Sequence, residues 1–249
     1  MSSIILQENF NIFWGDVMSE IINYHYKLEF SGGKEMVFDI QLDKETLDVF
    51  EEQSDLPQWT KRGEFGCKNS TCPLVDSETC PIAKVVHKQI HSFKNIVSTE
   101  PVNATLTTDE RSFNKKCSIQ TAVASITGIL MATCGCPVFN KLKPMVRFHL
   151  PFASLEETEY RVFSMYLLAQ YLRGRKNLSQ DHSLHTLKQL YDEIQEINLL
   201  AAHKIQELER SDATINGLVI LHSFGQLVTF DLEDNDLTSL ENLFKDWLL

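Results

Sequence analysis

Apolar and polar residues alternate strictly in two neighbouring stretches near the start of the chain, residues 24–30 and residues 36–42. Gly32 and Gly33 lie between them, and a Gly-Gly pair flanked by alternating residues is typical of a tight β-hairpin turn. Residues 102–108 and residues 145–150 show the same alternation, so each stretch predicts a further strand.

Elsewhere the apolar residues recur every three or four positions, which is the period of an amphipathic helix. The predicted helices include a short one that starts at residues 43–47 and ends at residues 56–59, and others over residues 80–95, 116–133, 154–173, 183–210 and 212–230. The acidic tail 231–249 is predicted to close the fold as another helix. Ser154 and Glu157 form a capping box, with Ser at the N-cap and Glu three residues later. Asn198 interrupts the apolar stripe of the long helix 183–210.

Together these patterns predict an α+β fold. We expect a small antiparallel β-sheet, made of the N-terminal hairpin plus one or two further strands, packed on a mainly helical C-terminal half. Residues 18–249 are predicted to form a single domain, with the sheet and a cysteine loop in residues 18–110 and the helices in residues 111–249. Residues 1–17 are interpreted as an N-terminal extension, which either precedes a natural start at Met18 or forms a short docking helix. Trp59 is expected to fill the core beneath the hairpin.

The formal net charge of −11 narrows the range of expected partners. Nucleic acids and anionic membranes attract basic surfaces, so we expect neither as a partner. Residues 118–140 carry no charge, but their glycines and hydroxyl groups favour a buried helix over a membrane span. The first Lys or Arg is Lys27, so the cationic start of a secretory signal is missing. We therefore predict a cytoplasmic protein whose cysteines are reduced.

Three of the six cysteines, Cys67, Cys72 and Cys80, fall within residues 65–83. Cys72 and Cys80 are each followed by proline, as is the distant Cys136. Three neighbouring thiolates need a fourth ligand to complete a tetrahedral site, so we predict that Cys136 joins them in the fold. Four thiolates bind zinc, and the same number can hold a [4Fe–4S] cluster as the alternative cofactor.

Two other interpretations of these cysteines stay open. Their spacing matches neither the short zinc-finger pattern nor the tight ferredoxin pattern, and buried or loop cysteines without a metal are equally consistent with it. Cys80 begins a predicted helix, whose N-terminus lowers the pKa of a thiol and suits a redox-active or nucleophilic group as well as a ligand. Cys134 is expected to point away from the site, and Cys117 to take no part in it.

Arg147 and His149 are the most suggestive residues outside the cysteines. They share one face of a predicted strand, near the start of the helix that carries Glu157, and the three residues are candidates for binding an anionic ligand or for acid–base chemistry. The alternative is an ordinary polar strand face, satisfied by Glu156, Glu157 or Glu159. The chain has no glycine-rich phosphate loop, no nucleophile elbow and no HExxH motif, which argues against familiar NTPases, esterases and zinc proteases.

Several segments resemble one family of uncharacterised bacterial proteins. The matching segments are INYHYKLEF, the cysteine stretch CPL…CPIA, GILMATCGCP, MVRFHLPFAS with EETEYR, and SMYLLAQYL. The resemblance implies that the chain from about residue 21 onward is one recurring domain, and it implies no activity. The spacing from Cys67 to Cys72 is longer here than in the family pattern.

The sequence therefore predicts a metal-binding protein that acts as a binding, sensing or structural module, with a small ligand or a protein as its partner. An enzyme that uses redox-active thiols or a cluster is the first alternative. A partner-binding protein with inert cysteines is the second.

Overall fold

The computed structural model describes residues 21–50, 55–208, 211–234 and 237–249. The predicted N-terminal extension lies outside these residues. Within them four strands form one sheet: β1 (Ile21–Phe30), β2 (Glu35–Asp43), β3 (Pro101–Thr107) and β4 (Ser112–Ser118). The order is β2-β1-β3-β4, and every neighbouring pair is antiparallel.

Helices make up most of the remainder. They are α1 (Arg62–Phe65), α2 (Pro81–Ser92), α3 (Ile119–Thr133), α4 (Lys143–Arg147), α5 (Leu155–Arg175), α6 (His185–Leu208), α7 (Asp212–Asp234) and α8 (Thr238–Leu243), with short 3-10 turns at Gln58–Thr60, Phe139–Leu142 and Lys245–Trp247. The predicted α+β class is confirmed, since the hairpin and two further strands form the sheet and most helices follow it in the chain.

The alternating residues of the first strand are buried on one face, as the pattern predicts. Tyr24, Tyr26, Leu28 and Phe30 are all buried on one face of β1, and Val102, Ala104 and Leu106 continue that face on β3. In the register of the two strands, Tyr26 is opposite Leu106 and Leu28 is opposite Ala104. The sheet therefore presents one continuous apolar face to the helices.

Helix α3 packs against that face. Its residues Ile119, Val123 and Ile126 belong to the same buried cluster as the sheet. Near its end, Met131 belongs instead to a second cluster with α2, α5, α6 and α7. The helix thus connects the two parts of the hydrophobic core.

The strand predicted over residues 145–150 is wrong. Lys143–Arg147 is helix α4, which has a proline in its first turn, where the missing N–H costs nothing. The alternation predicted that Val146 and Phe148 share one strand face. In the structure Val146 is buried, at 4% exposed, and Phe148 is 80% exposed. A period of two over six residues was too short a signal to exclude a helical turn followed by a loop.

Three smaller expectations are also corrected. The helix predicted from residue 116 begins at Ile119, and the residues before it form the polar edge strand β4, whose Lys115 and Lys116 gave no apolar alternation. Residues 43–47 form a turn, in which Asp43 Oδ1 accepts hydrogen bonds from the backbone N–H groups of Glu45 and Thr46. Trp59 packs against the helical cluster and the ring of His87, away from the hairpin.

One described helix, α7, is long and apolar enough to cross a membrane by length and composition alone, with a mean hydropathy of 1.3. Leu218 and Val228 pack in the helical cluster and Ala213 in the sheet cluster, and 39% of the apolar window of α7 is buried. The uncharged helix α3, with 15 residues, is shorter than a span requires.

Gly217 provides a test of the packing between α3 and α7. A Cβ at this position would lie 2.8 Å from Val123 Cγ1 and 3.2 Å from the backbone N of Ala124. We predict that Gly217→Ala lowers the free energy of unfolding by about 1–3 kcal/mol, because overpacking outweighs the better helix propensity of alanine. The measurement is urea unfolding.

Gly128→Ala on α3 is the matched control. There a Cβ would lie 3.6 Å from Leu221 Cδ2, an ordinary contact. We expect this variant to be neutral or more stable by up to about 1 kcal/mol. If both alanine variants had the same stability, the close approach of α7 to α3 would be contradicted.

Candidate functional site

The cysteine-rich segment is a closed loop. An isolated β-bridge pairs Lys61 with Thr79, and the backbone N–H of Cys80 donates to Thr60 O at 2.8 Å. Between these closing contacts α1 ends at Gly66, whose φ of 85° suits glycine, and residues 67–80 then have no regular helix or strand. The loop therefore depends on contacts with the rest of the protein to fix its course.

Cys80 and Cys136 occupy equivalent local positions. Cys80 is the N-cap of α2 and is followed by Pro81, and the backbone N–H groups of Ile82 and Ala83 lie close enough to its thiol to favour the thiolate, although they make no capping hydrogen bond to it. Cys136 precedes Pro137 in the same way, and the N–H groups of Val138 and Phe139 act on its thiol in the same sense. Each Cys-Pro pair thus starts a helical turn with free backbone donors near the thiol.

The four cysteines singled out in the sequence come from two distant parts of the chain and lie near one another. Cys80 and Cys136 belong to the same buried cluster, and Cys67 packs against it. The Cys80 thiol lies within electrostatic range of Cys67 and Cys136, and the Cys136 thiol within range of Cys67 and Cys72. In the part of the chain that the structure describes, however, no three His, Cys, Asp or Glu side chains form a ready-made ligand group.

The expectation of a lowered thiol pKa at Cys80 is wrong. Burial raises the pKa of the Cys80 thiol to about 11, and this outweighs the lowering effect of the backbone N–H groups. Burial likewise raises the pKa of Cys136. Both side chains are closed off from solvent, at 5% and 8% exposed.

The two other cysteines take part in different contacts. Cys134 Sγ donates to Met131 O at 3.2 Å at the end of α3. Cys117 lies on β4 and packs against the sheet cluster.

Arg62 is the cation of the cysteine loop. Its Nη1 donates to Asp76 Oδ1 at 2.8 Å and its Nη2 to Asn69 O at 3.2 Å, and Cys72 lies within hydrogen-bond range of the guanidinium. The Nε of Arg62 is buried and has no hydrogen-bond partner among the described residues. A buried donor without an acceptor carries a desolvation cost, which an added acceptor would remove.

A second candidate site is a cavity of about 160 Å³ inside the helical half. Its walls come from α3, α5, α6 and α7, together with the segment from Phe139 to Ala153. Most lining residues are apolar. The polar ones that matter for binding are Ser125, His149, Arg161, Tyr191 and Asn198.

His149 is held at the cavity by hydrogen bonds to the sheet and to α3. Its Nε2 lies 2.8 Å from Tyr26 Oη and 3.2 Å from Ser125 Oγ. Burial, reinforced by the positive charge of Arg161, lowers the pKa of His149 to about 3. The imidazole is therefore neutral at physiological pH, and Nε2 can accept a hydrogen bond from a hydroxyl.

Of the three residues predicted as a ligand site, the structure brings only His149 to the cavity. Arg147 is exposed at the end of α4. Glu157 accepts a hydrogen bond from the backbone N–H of Ser154 at 2.7 Å and so forms the predicted capping box of α5.

Arg161 is the cation that lines the cavity. One turn after Glu157 on α5, its Nη2 donates to Met145 O at 2.7 Å and to Phe148 O at 3.2 Å. Burial lowers the pKa of the Arg161 guanidinium, although an arginine remains charged. No carboxylate of a described residue lies within ion-pair distance of it.

Asn198 and Tyr191 line the cavity from α6. Asn198 is 2% exposed, and its Oδ1 makes no hydrogen bond with any described residue. Burial raises the pKa of the Tyr191 phenol, which stays neutral beside Arg161. The sequence signalled Asn198 as a break in an apolar stripe but gave no sign that Arg161 and not Arg147 would face inward.

A family model described as a domain of unknown function (DUF6901) matches residues 22–245. This match confirms that residues 22–245 belong to a family of unknown function. A search of curated proteins finds no match, and neither does a search of solved structures.

The neutral state of His149 predicts how stability depends on pH. The unfolded chain takes up a proton on this histidine near its ordinary pKa of 6.5, and the folded protein only near 3. The contribution of His149 is therefore fully present above about pH 6.5 and is lost as the pH falls toward about 3. We predict that the melting temperature of the wild type falls more between about pH 7 and about pH 5 than that of His149→Gln.

His182→Gln is the control, because His182 is exposed in the loop before α6. It should keep the pH dependence of the wild type. A wild type and His149→Gln variant with parallel pH profiles would show that His149 is not buried as a neutral group.

Proposed function

This chain belongs to the DUF6901 family, and we propose that it is a cytoplasmic metal-binding protein whose Cys67, Cys72, Cys80 and Cys136 together hold one metal centre. Zinc bound by four thiolates is the proposed occupant. A [4Fe–4S] cluster on the same four ligands is the alternative. The metal serves a structural or sensing role by tying the cysteine loop to the helical core.

One observation carries the proposal. The Cys80 and Cys136 thiols, which are far apart in sequence, lie within electrostatic range of each other and of Cys67, and the Cys136 thiol also lies within range of Cys72. Convergence of this kind is what a four-thiolate site requires. Cys67 and Cys72 lie in backbone without regular structure, so they can close on a metal without disturbing a helix or a strand.

The surroundings of the sulfurs support the same proposal. Backbone N–H groups near the Cys80 and Cys136 sulfurs favour the thiolate form that a metal binds. Zinc with four thiolates carries a net charge of about −2, which the guanidinium of Arg62 beside Cys72 partly neutralises. The buried, unpartnered Nε of Arg62 gains an acceptor if a thiolate approaches it.

An enzyme with reactive thiols is supported less well. A nucleophilic or redox-active cysteine needs access to its substrate and a thiolate at neutral pH. Cys80 and Cys136 are buried, and Cys134 has its thiol engaged by the backbone of α3.

Metal analysis of selected cysteine variants tests the proposal. We predict about one zinc per chain in the freshly purified wild type, and a loss of most of it in Cys80→Ser and Cys136→Ser. Cys134→Ser is the matched control, since it removes a thiol only two residues from Cys136 and should keep the metal. If the purified protein is brown and contains iron and acid-labile sulfide, the occupant is the [4Fe–4S] cluster and not zinc.

Two results would overturn the assignment. Wild-type protein without stoichiometric metal, after expression with zinc and after anaerobic preparation with iron, would exclude a metal centre. If Cys136→Ser kept its full metal content, Cys136 would not be one of the four metal ligands.

Removing the metal should loosen the loop specifically. Lys68 is exposed between Cys67 and Cys72, and we predict that a chelator increases tryptic cleavage after this residue while the sheet stays folded by circular dichroism. Lys68→Gln is the control and should remove the new cleavage product. A chelator that changed neither the cleavage pattern nor the melting temperature would contradict the tie between loop and core.

A further inference from the structure

The cavity inside the helical half is separate from the cysteine loop. None of the four proposed ligands lines it, and its polar groups come from other parts of the chain. An inference about the cavity therefore does not depend on the metal.

The size and walls of the cavity limit what it can hold. A volume of about 160 Å³ is close to the roughly 150 Å³ that accommodates a benzene-sized molecule in an apolar protein cavity. Side chains such as Ile129, Val146, Ile194 and Phe224 form most of the wall. The occupant must therefore be small and largely apolar.

One charge faces this apolar space without a counterion. Arg161 uses Nη2 to bind two backbone carbonyl groups, which fixes the position of the guanidinium. Among the described residues that line the cavity none is an Asp or a Glu, and His149 is neutral. The Arg161 guanidinium is partly buried, and the Glu157 carboxylate, which caps the start of α5 one turn earlier, lies within electrostatic range of it. A ligand that brings a carboxylate into direct contact supplies the ion pair that the described residues do not make.

Two polar groups of α6 complete the site. The buried amide of Asn198 has an unused hydrogen-bond acceptor and lies on the cavity wall. The phenol of Tyr191 lies on the same wall within electrostatic range of Arg161. Polar groups placed near a single cation in an otherwise apolar pocket are the arrangement that orients one end of a small ligand.

We propose that this cavity binds a small monocarboxylate with an apolar body of one ring or a short hydrocarbon chain. The carboxylate pairs with the guanidinium of Arg161, since a planar fork of N–H donors matches the two oxygens. The phenol O–H of Tyr191 can donate a hydrogen bond at that end, whereas Asn198 Oδ1 is an acceptor and can take a hydrogen bond only from a hydroxyl or N–H group on the ligand. The apolar body fills the space between α3 and α7.

Calorimetry and chemical-shift mapping with four simple probes test this proposal. Benzoate and hexanoate carry the charge, and benzyl alcohol and hexanol have similar bodies without it. We predict that each carboxylate binds the wild type at least about tenfold more tightly than its neutral counterpart, with shifts at Ser125, His149 and Asn198. This comparison requires no variant.

Variants locate the source of the selectivity. Arg161→Gln should remove the preference for the carboxylate and leave the affinity for benzyl alcohol within about twofold of the wild type. Arg173→Gln, on the last turn of the same helix, is the matched control and should bind benzoate like the wild type. Asn198→Leu removes an unpartnered acceptor that cannot bind a carboxylate, so this variant should keep the preference for benzoate.

The proposal is overturned if the wild type does not distinguish benzoate from benzyl alcohol, or if neither probe perturbs the cavity residues. It is also overturned if Arg161→Gln, shown by circular dichroism to be folded, keeps the full preference for benzoate.

Discussion

The burial of α3 is the interaction on which the rest of the structure depends. One side of this helix packs on the apolar face of the sheet, and α7 approaches it so closely that Gly217 leaves no room for a Cβ. Because α3 is fixed on two sides, whatever lies at its end and along its length is fixed as well. Its C-terminus leads directly to Cys136, and its small residues Ser125 and Gly128 open a wall of the cavity. Both candidate sites are therefore consequences of how one apolar helix is held.

The network around His149 shows how the sheet and the cavity are connected. Tyr26 is fully buried on β1, and its hydroxyl needs a partner inside the protein. It finds Ser125 on α3 at 2.8 Å and His149 at 2.8 Å. Because the His149 imidazole is neutral, it gives this hydroxyl network an acceptor for its protons. A neutral imidazole also places no second positive charge beside Arg161. Arg161 therefore remains the single cation of the cavity wall.

The sequence predicted the elements whose pattern depends on burial and missed those decided by tertiary contacts. Strict alternation in β1 and β3 and the helical period of α6 follow from one buried face each, so periodicity was sufficient to find them. The edge strand β4 has no such face and owes its conformation to pairing with β3. The His149 segment has a proline at each end and only a few residues between them. The strand period of two and the helical period of 3.6 therefore fitted it equally well. Which arginine reaches the cavity depended on the direction of α4, and no local pattern encodes that direction.

Unpartnered polar atoms are a feature that the two separate sites share. Native interiors leave few buried polar groups without hydrogen bonds, and two of those among the described residues are Arg62 Nε beside Cys72 and Asn198 Oδ1 at the cavity. Arg62 Nε lies beside the set of thiols, and Asn198 Oδ1 lies on the same cavity wall as Arg161. The metal that we propose keeps the sulfurs anionic among cationic and N–H donors, whereas the carboxylate that we propose pairs with the guanidinium of Arg161. The opposite electrostatics of the two sites make their occupants chemically distinct, so each can be identified without the other.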